Sequence, residues 1–97
     1  MVSLLEDTMQ KEAYNSKIKN IALNIRKVRE HRNYTQEYLA VKLDISQNAY
    51  SKIELGYTKI TLERLFQIAQ ILEVDLIELI KADDGGVMEL LKTGTGS

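Results

Sequence analysis

Four polar side chains fall within six consecutive residues, in the segment QNAYSK at positions 47–52. If this segment is helical, Gln47, Asn48, Ser51 and Lys52 share one face, because residues three and four apart are neighbours on a helix. Gln and Asn can pair with adenine through two hydrogen bonds, Ser can serve either base type, and Lys reaches guanine or phosphate. The residue types and their spacing therefore predict a helix that reads base edges in the major groove of DNA.

Two helices and a turn would position that polar face, within the segment TQEYLAVKLDISQNAYSKIELG at 35–56. Thr35 and Ser46 are suitable N-caps, because their hydroxyls accept hydrogen bonds from the first turn of a helix. Gly56 is a suitable helix end. Helices joined in this way cross at roughly 90–120°, and Ala40 is small enough for their close approach. The apolar anchors of the predicted motif are Leu39, Leu43, Ile45, Ala49, Tyr50 and Ile53.

A first helix is predicted before this motif, because apolar residues recur there at steps of three and four. Its inward positions are Ile18, Ile21, Ile25 and Val28. Its basic residues are expected on the outer face: Lys17, Lys19, Arg26, Lys27 and Arg29. Asn33 tolerates the left-handed conformation, so the pair Arg32-Asn33 predicts the exit turn. Residues 1–16 are predicted as an N-terminal extension, either a short helix or an arm.

Two more helices are predicted after the motif, beginning behind the caps Thr61 and Asp75. The first of them is expected to bury Leu62, Leu65, Ala69 and Leu72. The last is expected to turn Leu76, Leu79 and Ile80 towards the core and to leave Ile77 exposed. The domain would therefore span residues 17–81, followed by a tail at 82–97.

The composition excludes several classes of protein. The chain has no Cys, which excludes disulfides, thiolate metal sites and cysteine nucleophiles. The single His31 cannot build a multi-histidine metal site or a two-histidine acid–base pair. No apolar run approaches the roughly 20 residues of a membrane span, and residues 1–16 lack the order of a signal peptide. We expect a cytoplasmic protein that is not an enzyme, needs no metal or cofactor and contacts no membrane.

The charges are distributed unevenly, although the whole chain has a formal net charge of −1. Residues 17–60 carry nine Lys and Arg against four acidic residues, a net of +5. Residues 1–16 carry a net of −2 and residues 61–97 a net of −4. The positive stretch coincides with the first helix and the predicted motif, and such asymmetry is typical of nucleic-acid binding.

The chain resembles the Cro/repressor-like (XRE-type) helix-turn-helix DNA-binding family over residues 18–80. The resemblance depends on TQEYLA, SQNAYSKIELG and TLERLFQIAQILEVDLIEL taken together. It implies an all-α, five-helix, lambda-repressor-like domain whose second and third helices form the helix-turn-helix. It also implies that Gln36 steadies Gln47 and contacts the DNA backbone, and that the last helix mediates dimerisation. Three positions depart from the family pattern: Asp44, Ile60 and Glu73.

These observations predict a transcriptional regulator, a repressor that binds double-stranded DNA as a homodimer on a (pseudo)palindromic site. The residues predicted to contact bases are Gln47, Asn48, Ser51 and Lys52. Those predicted to contact the backbone are Gln36, Thr35, Arg26, Tyr57, Thr58 and Lys59. Those predicted in the dimer interface are Leu76, Ile77 and Ile80.

Several alternatives stay open at this stage. The chain could be a protein-interaction module, such as an antitoxin or anti-regulator, that holds a protein partner through the last helix and tail. Tyr57 could contact phosphate or be an ordinary surface tyrosine, whereas Tyr50 is expected in the core and Glu54 in a structural role. The apolar tail residues could fold back on their own domain or join a partner subunit: Val87, Met88, Leu90 and Leu91.

Overall fold

In a computed structural model, the backbone is described for residues 4–82 and the side chains for residues 8–82. Within that range the chain forms five α-helices and no strand, which confirms the all-α prediction. The helices are α1 (Leu4–His31), α2 (Gln36–Leu43), α3 (Gln47–Glu54), α4 (Leu62–Leu72) and α5 (Leu76–Lys81). None of the described helices is long and apolar enough to cross a membrane. The predictions for the tail, including its apolar residues at 87–91, lie outside the described residues.

The helices α2 to α5 begin at the four predicted caps, Thr35, Ser46, Thr61 and Asp75. Each cap has an extended backbone, and its side-chain oxygen accepts a hydrogen bond from an N–H two or three residues ahead. Such a cap stabilises a helix by about 1 kcal/mol, because it satisfies an N–H that has no partner within the helix. Local sequence therefore determines where the helices of the domain begin.

The helices α1 to α4 exit through left-handed residues, as predicted for Asn33 and Gly56. Their φ angles are 63° and 75°, and Asp44 and Glu73 both have φ 57°. Asp44 and Glu73 are two of the three departures from the family pattern. Both adopt the conformation that glycine reaches without a steric cost. The departures therefore leave the geometry of these two turns intact.

The core lies where the five helices meet, and its residues come from all of them. Leu65, Ala69 and Leu72 of α4 are buried as predicted. The prediction that Leu62 is buried is wrong, because its side chain is 64% exposed. Ile68, which was not predicted to face inward, is fully buried. The helix has apolar residues on several sides, so its 3.6-residue period permits more than one inward face.

Helix α1 ends where it was predicted to end, but it differs from its prediction in where it begins and in the exposure of two side chains. It begins at Leu4, so residues 4–16 are continuous with the domain helix and no break separates them at position 16. No Gly or Pro interrupts Leu4–His31, which lets the helix run without a stop. Ile18, expected on the buried face, is 41% exposed, because α1 extends past the other helices at this point. Arg29, expected on the outer face, is only 9% exposed.

Candidate nucleic-acid interface

Helices α2 and α3 pack as a helix-turn-helix through the residues predicted to anchor it. Leu39 and Ala40 of α2 are buried together with Tyr50 and Ile53 of α3. In the turn between them, the N–H of Ile45 donates to the carbonyl of Ala40 at 3.0 Å. The buried side of α3 is thereby held against α2, and its opposite side faces outward.

The four predicted base-reading residues share that outward side of α3. Gln47, Asn48 and Lys52 are exposed, and Ser51 is half-buried. At 100° per residue these positions cover an arc of roughly 140° around the helix, opposite the buried stripe. Gln47 and Asn48 follow the cap Ser46 directly, at the N-terminal end of the helix. The structure thus brings these residues onto one surface, while their contact with bases remains a prediction.

A groove runs beside α3, between that helix, the loop that follows it and the start of α4. Its volume is about 520 Å³, and its lining includes Lys52, Lys59 and Arg64 but no acidic side chain. Because three cations and no carboxylate border the groove, it favours an anionic ligand beside the polar face of α3.

Arg64 is a functional candidate that the sequence reasoning missed. Its Nη1 donates to the carbonyl of Leu43 and to Oε1 of Gln67, both at 3.1 Å. The guanidinium therefore connects the end of α2 with the first turn of α4. A cation three residues after the cap Thr61 was the available signal. Nothing local, however, indicates that this turn lies beside the recognition helix.

The predicted backbone-contact residues lie on three elements. Tyr57, which is 75% exposed, Thr58 and Lys59 are in the exposed loop after α3. Thr35 is at the start of α2, and the exposed Arg26 on α1 pairs with Glu30, with 3.4 Å between Nε and Oε2. Thr58 and Lys59 line the groove beside α3 together with Asn48 and Lys52, whereas Tyr57 is not part of its lining.

Gln36 has a different hydrogen-bond partner from the one that the resemblance implies. Its Nε2 donates to Oε1 of Glu54 at 3.1 Å, which directs the amide at the end of α3 rather than at Gln47. Because Gln36 opens α2 and Glu54 ends α3, the hydrogen bond joins the two helices of the motif.

Glu54 is the acceptor of a buried network, which confirms its predicted structural role. Arg29 forms an ion pair with it through two nitrogens, and Tyr50 donates its hydroxyl hydrogen to Oε2 at 2.6 Å. The prediction that Arg29 faces outward is wrong because this carboxylate, on a different helix, compensates its burial. The hydrogen bond to Glu54 raises the pKa of Arg29. Burial, followed by the hydrogen bond to Glu54, raises the pKa of Tyr50 well above its ordinary value.

Within residues 8–82, no group of three or more His, Asp or Glu side chains lies close enough to hold a metal ion. Two polar groups of the described residues belong to the helix-turn-helix itself, namely the outward surface of α3 and the network beneath it. One can contact a ligand, and the other fixes the helix that carries it.

Comparison with known proteins agrees with this geometry. Residues 25–79, more than half of the chain, match the family model described as Helix-turn-helix. Over 60 residues the chain is 37% identical to an uncharacterized HTH-type transcriptional regulator, YqaE, of Bacillus subtilis (strain 168). That similarity covers 62% of this chain and 52% of the relative, so the chain spans about half the length of the curated relative it matches. No solved structure matches. The chain belongs to the XRE-type helix-turn-helix family of DNA-binding proteins.

Proposed function

We propose that this protein is a sequence-specific double-stranded-DNA-binding regulator of transcription, and that it acts as a repressor in the cytoplasm. One observation carries the proposal: the exposed polar end of α3 borders a groove lined by Lys52, Lys59 and Arg64 with no carboxylate. A base-reading surface and a phosphate-attracting surface are thus adjacent. Repression follows from occupying promoter DNA and needs no catalytic group.

In this proposal α3 enters the major groove with its N-terminal end foremost, as recognition helices of this motif do. Gln47 and Asn48 contact base edges there, with Ser51 and Lys52 one turn further along. Each good two-point contact discriminates against a wrong base by about 1–3 kcal/mol. The four side chains share one outward face, on which Gln47, Asn48 and Lys52 are exposed and Ser51 is half-buried, and this arrangement supports the assignment.

Phosphate contacts would set the register of the protein on the duplex and supply most of its sequence-independent affinity. We propose Tyr57, Thr58 and Lys59 for the loop and Thr35 and Gln36 for the start of α2. Arg26 adds a contact from α1, and Arg64 joins the set because it lines the same groove as Lys59.

A homodimer is proposed through the outer face of α4 and α5, defined here by Phe66, Val74 and Ile77. Phe66 and Ile77 are 51% and 62% exposed, and the three residues line a shallow recess of about 470 Å³. Of the residues predicted for the dimer interface, Leu76 packs into its own core and Ile80 is half-buried, which leaves Ile77 as the exposed member. Two-fold symmetry is the commonest solution for such a face.

The same exposed apolar residues favour a second candidate function, in which the α4–α5 face holds a different protein. An antitoxin or anti-regulator of this kind could also bind its own promoter, so the two functions are compatible. Purification from the native cell separates them. A stoichiometric second protein would support the interaction module, and a pure homodimer would contradict it.

Selection of bound duplexes from a random pool at ~0.15 M salt, near physiological ionic strength, tests the DNA-binding proposal. We expect a palindromic site whose half-sites lie about one helical turn apart, roughly 34–36 Å. Equal recovery of all sequences would contradict base reading by α3. Recovery of a single unrepeated half-site would contradict the homodimer.

A further inference from the structure

A second groove, called here the α1 groove, lies between the N-terminal half of α1 and the loop after α3. Its volume is about 700 Å³, and sites that bind small molecules usually measure roughly 300–1,000 Å³. It shares Thr58, Lys59 and Ile60 with the groove beside α3, so the same loop borders both. The α1 groove is therefore large enough for a small ligand and adjacent to the surface proposed to contact DNA.

The lining of the α1 groove is mainly apolar, and much of it is exposed. Tyr14 and Ile18 of α1 and Tyr57 of the loop are exposed. Ile21 and Ile60 are half-buried and extend the apolar surface inward. Exposed apolar side chains that converge on a concave surface, rather than standing singly, are typical of a ligand-binding site.

Gly56 keeps the two walls of the α1 groove close together. It has φ 75° and lies in the turn after α3. A Cβ at this position would lie 3.2 Å from Cγ of Lys19 on α1, which is tighter than ordinary van der Waals contact. A side chain here would therefore push the loop and α1 apart, so the width of the groove depends on the backbone at this position.

Two lysines border the apolar lining, one on each wall. Lys11 belongs to α1 and Lys59 to the loop, and both are exposed. None of the described residues that line the groove is acidic. A neutral apolar ligand would bring no opposite charge to the two ammonium groups, and a bare phosphate would leave the apolar lining in water. The surface is complementary to a molecule that joins an apolar body to a negative charge.

We propose that the α1 groove binds a small amphipathic carboxylate, such as a medium-chain fatty acid. The apolar chain of the ligand packs on Ile18, Ile21 and Ile60, and its carboxylate lies near Lys11 and Lys59. Burial of the chain supplies affinity in proportion to the apolar area removed from water. The two lysines select a carboxylate over an amine of the same length, because opposite charges attract and like charges repel.

This binding has a consequence that rests on the proposed function. Lys59 is also a proposed phosphate contact, so the ligand and DNA compete for one ammonium group. Each phosphate contact contributes about 0.9 to the salt exponent of the association constant, which amounts to about fivefold in affinity at ~0.15 M salt. The ligand thus weakens binding to every DNA sequence by this factor and promotes release of the protein from its site.

Calorimetric titration of the full chain with octanoate, without DNA, tests the site itself. Two matched probes accompany it: acetate has the same charge without the apolar chain, and octylammonium has the same chain with the opposite charge. We expect octanoate to bind at one site, octylammonium to bind at least about tenfold more weakly and acetate to give no binding heat. Absence of octanoate binding, or equal affinity for octanoate and octylammonium, would overturn the proposal.

Two variants locate the octanoate site. Lys11→Gln and Ile18→Gln should each raise the dissociation constant for octanoate at least about fivefold. Their controls are Lys42→Gln and Leu62→Gln, since both residues are exposed and neither lines the α1 groove. All four side chains are exposed, so the helical circular dichroism spectrum should be retained. Equal effects of the groove variants and their controls would place the ligand elsewhere and overturn the proposal.

The competition is measured with the selected duplex at constant ionic strength, in octanoate or in acetate. We expect saturating octanoate to raise the dissociation constant for DNA about fivefold and to lower the salt slope by about one. In Lys59→Ala, octanoate should cause no further change. An unchanged constant in octanoate would overturn the competition. Absence of DNA binding in both solutions would refute the proposed function instead, and the calorimetry would still decide whether the groove binds the carboxylate.

Discussion

Arg29 and Glu54 form a buried two-point ion pair, with 2.6 Å from Nε to Oε2 and 3.1 Å from Nη2 to Oε1. Arg29 belongs to α1, and Glu54 is the last residue of the recognition helix α3. The same carboxylate accepts hydrogen bonds from Tyr50 of α3 and Gln36 of α2. One acidic side chain thus joins three helices, and the direction in which α3 presents its polar face depends on it.

Glu54→Gln should destabilise the fold by about 3–5 kcal/mol, the usual cost of leaving a buried charge without its partner. Urea unfolding followed by circular dichroism measures this difference. The matched control is Glu30→Gln, which removes an exposed pair with Arg26 on the same helix and should cost about 0.3–0.5 kcal/mol. Equal losses in the two variants would show that the buried pair contributes no more than a surface pair.

Tyr50 should make the stability depend on alkaline pH. Burial and its hydrogen bond to Glu54 raise the pKa of Tyr50 in the folded state, whereas an unfolded tyrosine ionises near ~10. The contribution is therefore complete below pH ~10, and above it the free energy of unfolding should fall by about 1.4 kcal/mol per pH unit. Tyr50→Phe should cost about 1–3 kcal/mol at neutral pH and should lose this slope. The same slope in both proteins between pH 9 and 11 would contradict the assignment.

Gln47→Ala should relax the base preference at one position of each half-site, at a cost of about 1–3 kcal/mol. Gln47 is exposed beyond the cap Ser46, so its loss should leave the fold intact. Affinities for the selected duplex and its single-base variants measure the effect. If the preference is unchanged, base reading belongs to Asn48 or Ser51 rather than to Gln47.

Lys59→Ala should weaken binding to all duplexes alike and lower the salt slope of the association constant by about one, because one phosphate contact is lost. The control is Lys81→Ala, which also removes one positive charge. Lys81 is an exposed residue at the end of α5 and does not line the groove beside α3. It should leave the slope unchanged. A change of base preference in Lys59→Ala with no change of slope would show that the loop does not contact phosphate.

Ile77→Glu should raise the dissociation constant of the proposed homodimer at least about tenfold, which corresponds to 1.4 kcal/mol. The reason is that the variant places a charge in the apolar α4–α5 face. Ile77 is exposed within its own chain, so the variant should keep its helical circular dichroism spectrum. Sedimentation equilibrium measures the association. Val41→Glu serves as the control, since Val41 is 70% exposed on α2, outside that face. If both variants associate as the unchanged protein does, dimerisation uses another surface.

Much of the local structure could be predicted from the sequence, because short-range rules determine it. The caps Thr35, Ser46, Thr61 and Asp75 begin their helices through hydrogen bonds that span at most three residues. The polar face of α3 follows from helical spacing alone, once Tyr50 and Ile53 are identified as its buried side. These features needed no knowledge of which helix packs against which.

The register of α4 shows where local pattern is insufficient. Leu62 and Ile68 lie about 120° apart at the two edges of the apolar stripe of α4, with Leu65 and Leu72 between them, so spacing alone does not decide which edge is buried. Ile68 is buried and Leu62 exposed because α4 packs against α1, α2 and α5, whose positions depend on contacts distant in sequence. Periodicity limits the possible faces of a helix, but its neighbours select one.

The sequence by itself determined where α2 to α5 begin, the turns between the helices and the polar surface of α3, since each depends on residues within one or two turns. Tertiary structure alone decided that Arg29 is buried, because its partner Glu54 lies 25 residues away in the chain. It also decided that Arg64 joins Lys52 and Lys59 at one groove. Burial and charge pairing are set by distance in space, which the order of residues along a chain does not specify.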